Sequence, residues 1–156
     1  MAKPRRRPGR KRRVREAPSP RYAAHSEELA GVLYNSDVVI EILRGNDAVV
    51  EAAFTLESAG VPTYSTAITW AEIYAGIRPG EEPVTQAFFE ARGEVVLDAA
   101  AGRRAGAYLA RYGKSHAVEI ADALVAAAAA TSGLHLWTLN RKHYPMPDVR
   151  FYEPGS

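Results

Sequence analysis

The chain contains no cysteine. Disulfides and thiolate metal sites are therefore excluded, and the composition fits a reducing cytoplasm. Long apolar runs are missing as well. The longest, Ala123 to Ala130, is far too short to cross a bilayer, so no membrane association is expected. The basic N-terminus is not followed by the apolar core of a signal peptide. The four histidines, His25, His116, His135 and His143, show no zinc spacing. Nucleophile elbow, P-loop and dinucleotide glycine patterns are all absent.

Acidic residues are nearly missing from one stretch. Residues 1–21 hold ten of the twenty Lys and Arg but a single acid, Glu16. Residues 22–156 carry ten basic against seventeen acidic groups, a net of −7 beneath an overall charge of +2. The tail also contains Pro4, Pro8, Pro18 and Pro20 and almost no large apolar side chains. It cannot bury enough surface to offset its ordering entropy and reads as disordered. Two readings stand for it: a polyanion-binding arm with salt-dependent affinity, or a solvated extension without a specific role. No aromatic is interleaved with its arginines, so base stacking is not indicated there.

At 156 residues and 47% apolar composition, the remainder is long enough for one domain with a real core. Residues 22–30 form a lead-in, with Ser26 as a helix cap. Strands are expected over 31–35, 61–65, 94–97 and 135–139, with a possible fifth over 149–152. Helices are expected over 37–43, 46–58, 66–76, 81–91, 98–111 and 119–131. Asn46 is placed to cap the second of these, and glycines 60, 76 and 133 stand at helix ends. Alternating strands and helices imply the α/β class, with a central parallel sheet of four to five strands flanked by helices.

Ligands of such sheets sit at the carboxyl ends of the strands. Asn35, Ser36 and Asp37 follow the first strand, Glu72 lies on the helix after the second, and Thr138 and Asn140 follow the fourth. Asp122 stands one turn into a helix of small apolar residues. Acids in apolar surroundings are costly unless paired or metal-bound. Asp37, Glu72 and Asp122 near one edge therefore point to a shared divalent cation and to phosphodiester hydrolysis. Each also has a plainer reading: Asp37 as a helix N-cap, Glu72 as the partner of an arginine, Asn140 as a turn cap. Arg141, Lys142 and His143 are placed either to hold RNA phosphates or to form a solvated loop.

Four segments in order resemble the PIN domain, specifically the VapC-type toxin nucleases, over about residues 31–153. They are Leu33-Tyr34-Asn35-Ser36-Asp37-Val38-Val39-Ile40, Ala71-Glu72-Ile73-Tyr74-Ala75-Gly76, Asp122-Ala123-Leu124-Val125, and Leu136-Trp137-Thr138-Leu139-Asn140-Arg141-Lys142-His143-Tyr144. The resemblance implies a PIN-like three-layer fold over 31–153 and a Mg²⁺- or Mn²⁺-dependent endoribonuclease. It implies Asp37, Glu72 and Asp122 as catalytic residues, with Asn35 joining them on the metal. Ser36, Thr138 and Asn140 would support them as hydrogen-bonding neighbours. An RNA substrate, a homodimer and a cognate VapB-like antitoxin are implied as well.

One position departs from the family pattern: Asn35 stands where an Asp is usual. A carboxamide oxygen still ligates a hard cation, but it brings no charge. A charge at about 4 Å is worth roughly 4 kcal/mol at an effective dielectric of 20, before desolvation is subtracted. Three alternatives stay open: Asp37 takes over the ligand role, the site is degenerate, or a native Asp has been replaced. The degenerate alternative makes the chain a module that binds RNA or a protein without cleaving it.

Overall fold

A computed structural model describes residues 29–155. The basic tail, the Ser26 cap and the lead-in up to residue 28 lie outside the described residues. Four parallel strands form one sheet: β1 (Val32–Tyr34), β2 (Thr63–Thr66), β3 (Gly93–Val95) and β4 (His135–Trp137). Their spatial order is β3-β2-β1-β4. Six helices join them: α1 (Ser36–Leu43), α2 (Asp47–Ser58), α3 (Ala67–Ala75), α4 (Glu82–Glu90), α5 (Ala99–Tyr112) and α6 (Ile120–Ser132).

The central strand explains the layering. Side chains alternate across a strand, and β1 is buried on both faces. Val32 and Tyr34 enter a cluster with Val38, Val39, Leu56, Phe89 and Trp137. Leu33 enters the opposite cluster, with Ala105, Tyr108, Ala126 and Leu136. Helices α1 to α4 contribute to the first cluster, and α5 and α6 to the second. Burial on both faces is the usual condition of a parallel sheet. Ala123 and Ala126 to Ala129 have no exposed surface. Their small side chains let α6 lie close to Ala101 and Ala105 of α5.

Local capping chemistry sets several helix ends. Asn46 accepts a hydrogen bond from Val49 N, as its position suggests. Asp98 caps α5 by accepting from Ala101 N at 2.9 Å, so it lies just outside the helix that was expected to contain it. Gly133 ends α6 with φ of 67°, a left-handed conformation that suits glycine. Gly93 is required for another reason: a Cβ there would meet the Tyr64 ring at 2.5 Å.

Two expectations change. Asp37 is not the cap of α1; Asn35 holds that position, without a side-chain capping bond. The segment 149–152 does not lengthen into a strand. It makes one parallel bridge, Phe151 to Leu136, between the turn closed by Val149 N on Met146 O and Pro154. Among the described residues, no helix is long and apolar enough to cross a membrane.

Candidate active site at the carboxyl edge of the sheet

The β1–β4 pairing brings Asn35 beside residue 138. Tyr34 pairs with Trp137, and Asn35 N donates to Trp137 O at 3.0 Å. The polar residues after both strands therefore share one edge. Thr138 Oγ1 donates to Asp37 Oδ2 at 2.9 Å. The same carboxylate oxygen accepts from Leu139 N at 2.8 Å, and Oδ1 accepts from Val38 N at 2.8 Å. Asp37 is thus fixed by three donors. The Thr138 hydroxyl also accepts from Asn140 N at 3.1 Å and, at 3.4 Å, from Asn35 Nδ2. With its amide nitrogen turned to Thr138, Asn35 keeps its carbonyl oxygen as an acceptor.

The chain beyond β4 then turns back toward α6. Asn140 Nδ2 and His143 Nε2 stand 3.1 Å apart in a short 3₁₀ turn. His143 Nδ1 lies 3.6 Å from Asp122 Oδ2. On the other oxygen, Asp122 Oδ1 accepts from the Tyr144 hydroxyl at 3.4 Å. The Asp122 side chain is 23% exposed. Burial raises its pKa above the ordinary carboxylate value, against the opposing effects of His143 and the Tyr144 hydrogen bond. The charge of Glu119 pushes the same way as burial, and a hydrogen bond from its backbone pushes against it.

Tyr144 connects the acids. Its pKa is raised first by burial, then by the charges of Asp122 and Asp37, by the hydrogen bond to Asp122, and by the charge of Glu72. Of the three carboxylates, Asp122 alone is hydrogen-bonded to that hydroxyl; Asp37 and Glu72 act on it only through their charges. Glu72 is the outermost: it is exposed and lines a groove of about 410 Å³ with Ile40, Leu43, Ile73, Ile77 and Val84. Among the described residues, no three His, Cys, Asp or Glu side chains are grouped tightly enough to hold a metal by themselves. The donor set of Asn35, Asp37, Glu72 and Asp122 is nevertheless all oxygen, which fits Mg²⁺ or Mn²⁺. Mg²⁺ keeps several waters and takes only one or two carboxylates.

Other expected residues fall elsewhere. Ser36 Oγ is buried and has no hydrogen-bond partner among the described residues. Arg141 forms an ion pair with Glu153, with both side chains exposed, and lies 4.8 Å over the Phe151 ring. Lys142 is exposed. Two residues that touch Asp122, His143 and Tyr144, carry more of the geometry than their sequence positions suggested. The visible signal was their place three and four residues after Asn140, at the end of the fourth segment.

Residues 33–148 match the PIN domain. The chain is 34% identical over 117 residues to the ribonuclease VapC10 of Mycobacterium tuberculosis, covering 74% of this chain and 86% of that protein. It is 29% identical over 120 residues to the ribonuclease VapC19 of the same organism, covering 76% of this chain and 96% of that protein. Among solved structures, a toxin–antitoxin complex from Klebsiella pneumoniae has a similar fold. Its TM-score is 0.64 at 22% identity, covering 76% of this chain and 95% of that one. The sheet order, the site at its carboxyl edge and these similarities lead to one assignment: the chain belongs to the PIN-domain family and resembles its VapC-type toxins.

Proposed function

We propose that this protein is a VapC-like endoribonuclease toxin that hydrolyses RNA phosphodiester bonds with Mg²⁺ or Mn²⁺. The observation that carries the reading is the placement of Asp37 and Asp122 at the carboxyl edge of the sheet, each hydrogen-bonded to the segment that follows β4, through Thr138 and Tyr144. The relatives named as ribonucleases support it. Asn35, Asp37, Glu72 and Asp122 are the residues that hold the cation. Divalent metal chemistry of this kind supplies a more acidic water and stabilises charge on the phosphate.

The chain's own residues prepare that chemistry. Val38 N, Thr138 and Leu139 N hold Asp37 in one rotamer, so little orientation is left to be fixed on binding. Burial raises the pKa of Asp122, and the Tyr144 hydrogen bond and the His143 charge oppose that rise. Thr138 and Asn140 tie the β4 loop to Asp37. Arg141 and Lys142 are the nearby cations we assign to the RNA backbone. The partners proposed are RNA, a second copy of the chain and a VapB-like antitoxin, and the proposed compartment is the cytoplasm. The Klebsiella neighbour, itself a toxin–antitoxin complex, supports the antitoxin.

Asn35 favours a second reading: a PIN module that binds RNA or a protein and cleaves nothing. Incubating the purified full chain with single-stranded and structured RNA separates the two. Cleavage in Mn²⁺ that stops in EDTA supports the nuclease. Salt-sensitive retention of intact RNA, indifferent to EDTA, supports the module.

A further inference from the structure

We propose that Tyr144 is a positioning residue of the metal site: its hydroxyl holds Asp122 by the Oδ1 oxygen and so sets the carboxylate's presentation to a divalent cation. The inference rests on the metal-dependent reading above and adds a residue that the motif acids do not include.

Tyr144 is 3% exposed. Its ring packs in the apolar cluster with Met146, Leu136 and Val149, and meets Phe151 edge-on at 6.4 Å between centroids. For that packing alone a phenylalanine would serve as well. The hydroxyl is the costly part, because a buried phenol needs a hydrogen-bond partner. The partner it has is Asp122 Oδ1, at 3.4 Å. That distance is at the long end for O–H···O, so the bond orients the carboxylate more than it ties the fold together. Its value lies in direction. The donor arrives from the apolar layer beneath the carboxylate, while His143 lies on the other oxygen, Oδ2. Two residues adjacent in sequence thus face the two oxygens of Asp122, Tyr144 by a hydrogen bond and His143 by a 3.6 Å contact. Ligating carboxylates depend on such outer partners, and removing one typically weakens metal affinity about 10–100-fold.

The test measures Mn²⁺ affinity without RNA, by calorimetry or by the electron paramagnetic resonance of free Mn²⁺. The full chain is compared with Tyr144→Phe, Asp122→Asn and the double variant. Tyr144→Phe keeps the ring, and urea unfolding checks that stability is held. We expect Tyr144→Phe to bind Mn²⁺ about tenfold more weakly. In the Asp122→Asn background the same change has no further effect. Wild-type affinity in Tyr144→Phe overturns the inference, as does a tenfold loss that persists in the Asp122→Asn background. If Asp122→Asn itself binds Mn²⁺ like the wild type, the metal-site reading falls first and this inference falls with it.

Discussion

The Thr138 hydroxyl donates to Asp37 Oδ2 at 2.9 Å across 101 residues of sequence. The same oxygen atom of Thr138 accepts from Asn140 N and Asn35 Nδ2. One side chain thus joins the loops after β1 and β4 and fixes the acid that stands nearest Asn35.

Thr138→Val is the direct test of that joint. The substitution keeps shape and removes the hydroxyl. It leaves the Asn140 amide and one Asp37 oxygen short of a partner, at a position only 7% exposed. We expect a loss of about 1–3 kcal/mol in urea unfolding. RNA cleavage should fall about tenfold, because Asp37 loses one of its three donors. Cleavage at the wild-type rate would show that Asp37 does not need this bond.

Asp122 should trade stability for function. Its raised pKa means that the folded chain binds the proton more tightly than the unfolded chain does. The neutral form therefore favours folding. That contribution is full below the unfolded pKa near 3.9 and is lost as pH rises through the raised folded value. At pH 7 the buried charge weakens the fold, so Asp122→Asn should unfold at a higher urea concentration than the wild type. The gain should disappear near pH 3.5, where Asp122 is protonated in both states. Chemical denaturation at the two pH values checks this, and a variant less stable at pH 7 contradicts it.

Asp148 has the opposite sign. Burial pushes its pKa up, but the hydrogen bonds from Tyr108 and Arg104 outweigh that effect and hold it below the ordinary value. Burial, and then the hydrogen bond to Asp148, push the Tyr108 hydroxyl up to about 12. Stability from Asp148 is therefore present above the unfolded pKa near 3.9 and is lost as pH falls through the lowered folded value. Wild type and Asp148→Asn should differ in melting temperature at pH 6 and converge toward pH 2.5. The carboxylate is 41% exposed, so the difference should be small and weaker in salt. A gap that stays constant with pH would assign the effect to packing.

Glu57 is the polar node beneath β1. It accepts from Tyr34 OH, Thr63 Oγ1 and two nitrogens of Arg92. Arg92 lies 3.8 Å over the Phe88 ring and its side chain is 15% exposed. Removing one partner strands the others. Glu57→Ala should cost about 2 kcal/mol, below the range for a fully buried pair because Glu57 keeps some solvent contact. Arg92→Lys should not preserve stability, since an ammonium cannot make the paired bonds. Equal stability of Arg92→Lys and wild type would refute the bidentate role.

Local chemistry was legible in the sequence. Asn46 caps α2 with its own side chain, and β1, with its three apolar residues, is buried on both faces. The placement of the acids near one sheet edge followed from the alternation of strands and helices. What could not be read depended on distant partners. Asp37 has the composition of an N-cap, but its Oδ2 is taken by Thr138 and Leu139, more than 100 residues on. The ion pair of Arg141 with Glu153 likewise has no local signature. Tyr144 reads as one more core aromatic until α6 sets Asp122 against its hydroxyl. Strand ends drifted for the same reason. β3 begins at Gly93 because Tyr64 packs over that glycine, a cross-strand fact with no local signature.

The decisive measurement is RNA cleavage in Mn²⁺ by the chain as it stands, by Asn35→Asp and by Asp122→Ala, each repeated in EDTA. The arrangement of Asn35 beside Asp37 and Thr138 predicts metal-dependent cleavage by the chain itself. It predicts faster cleavage by Asn35→Asp, at lower Mn²⁺, and none by Asp122→Ala. Cleavage by Asn35→Asp alone would contradict activity in this sequence and mark it as a disarmed nuclease. Cleavage that survives both Asp122→Ala and EDTA would contradict the metal site itself.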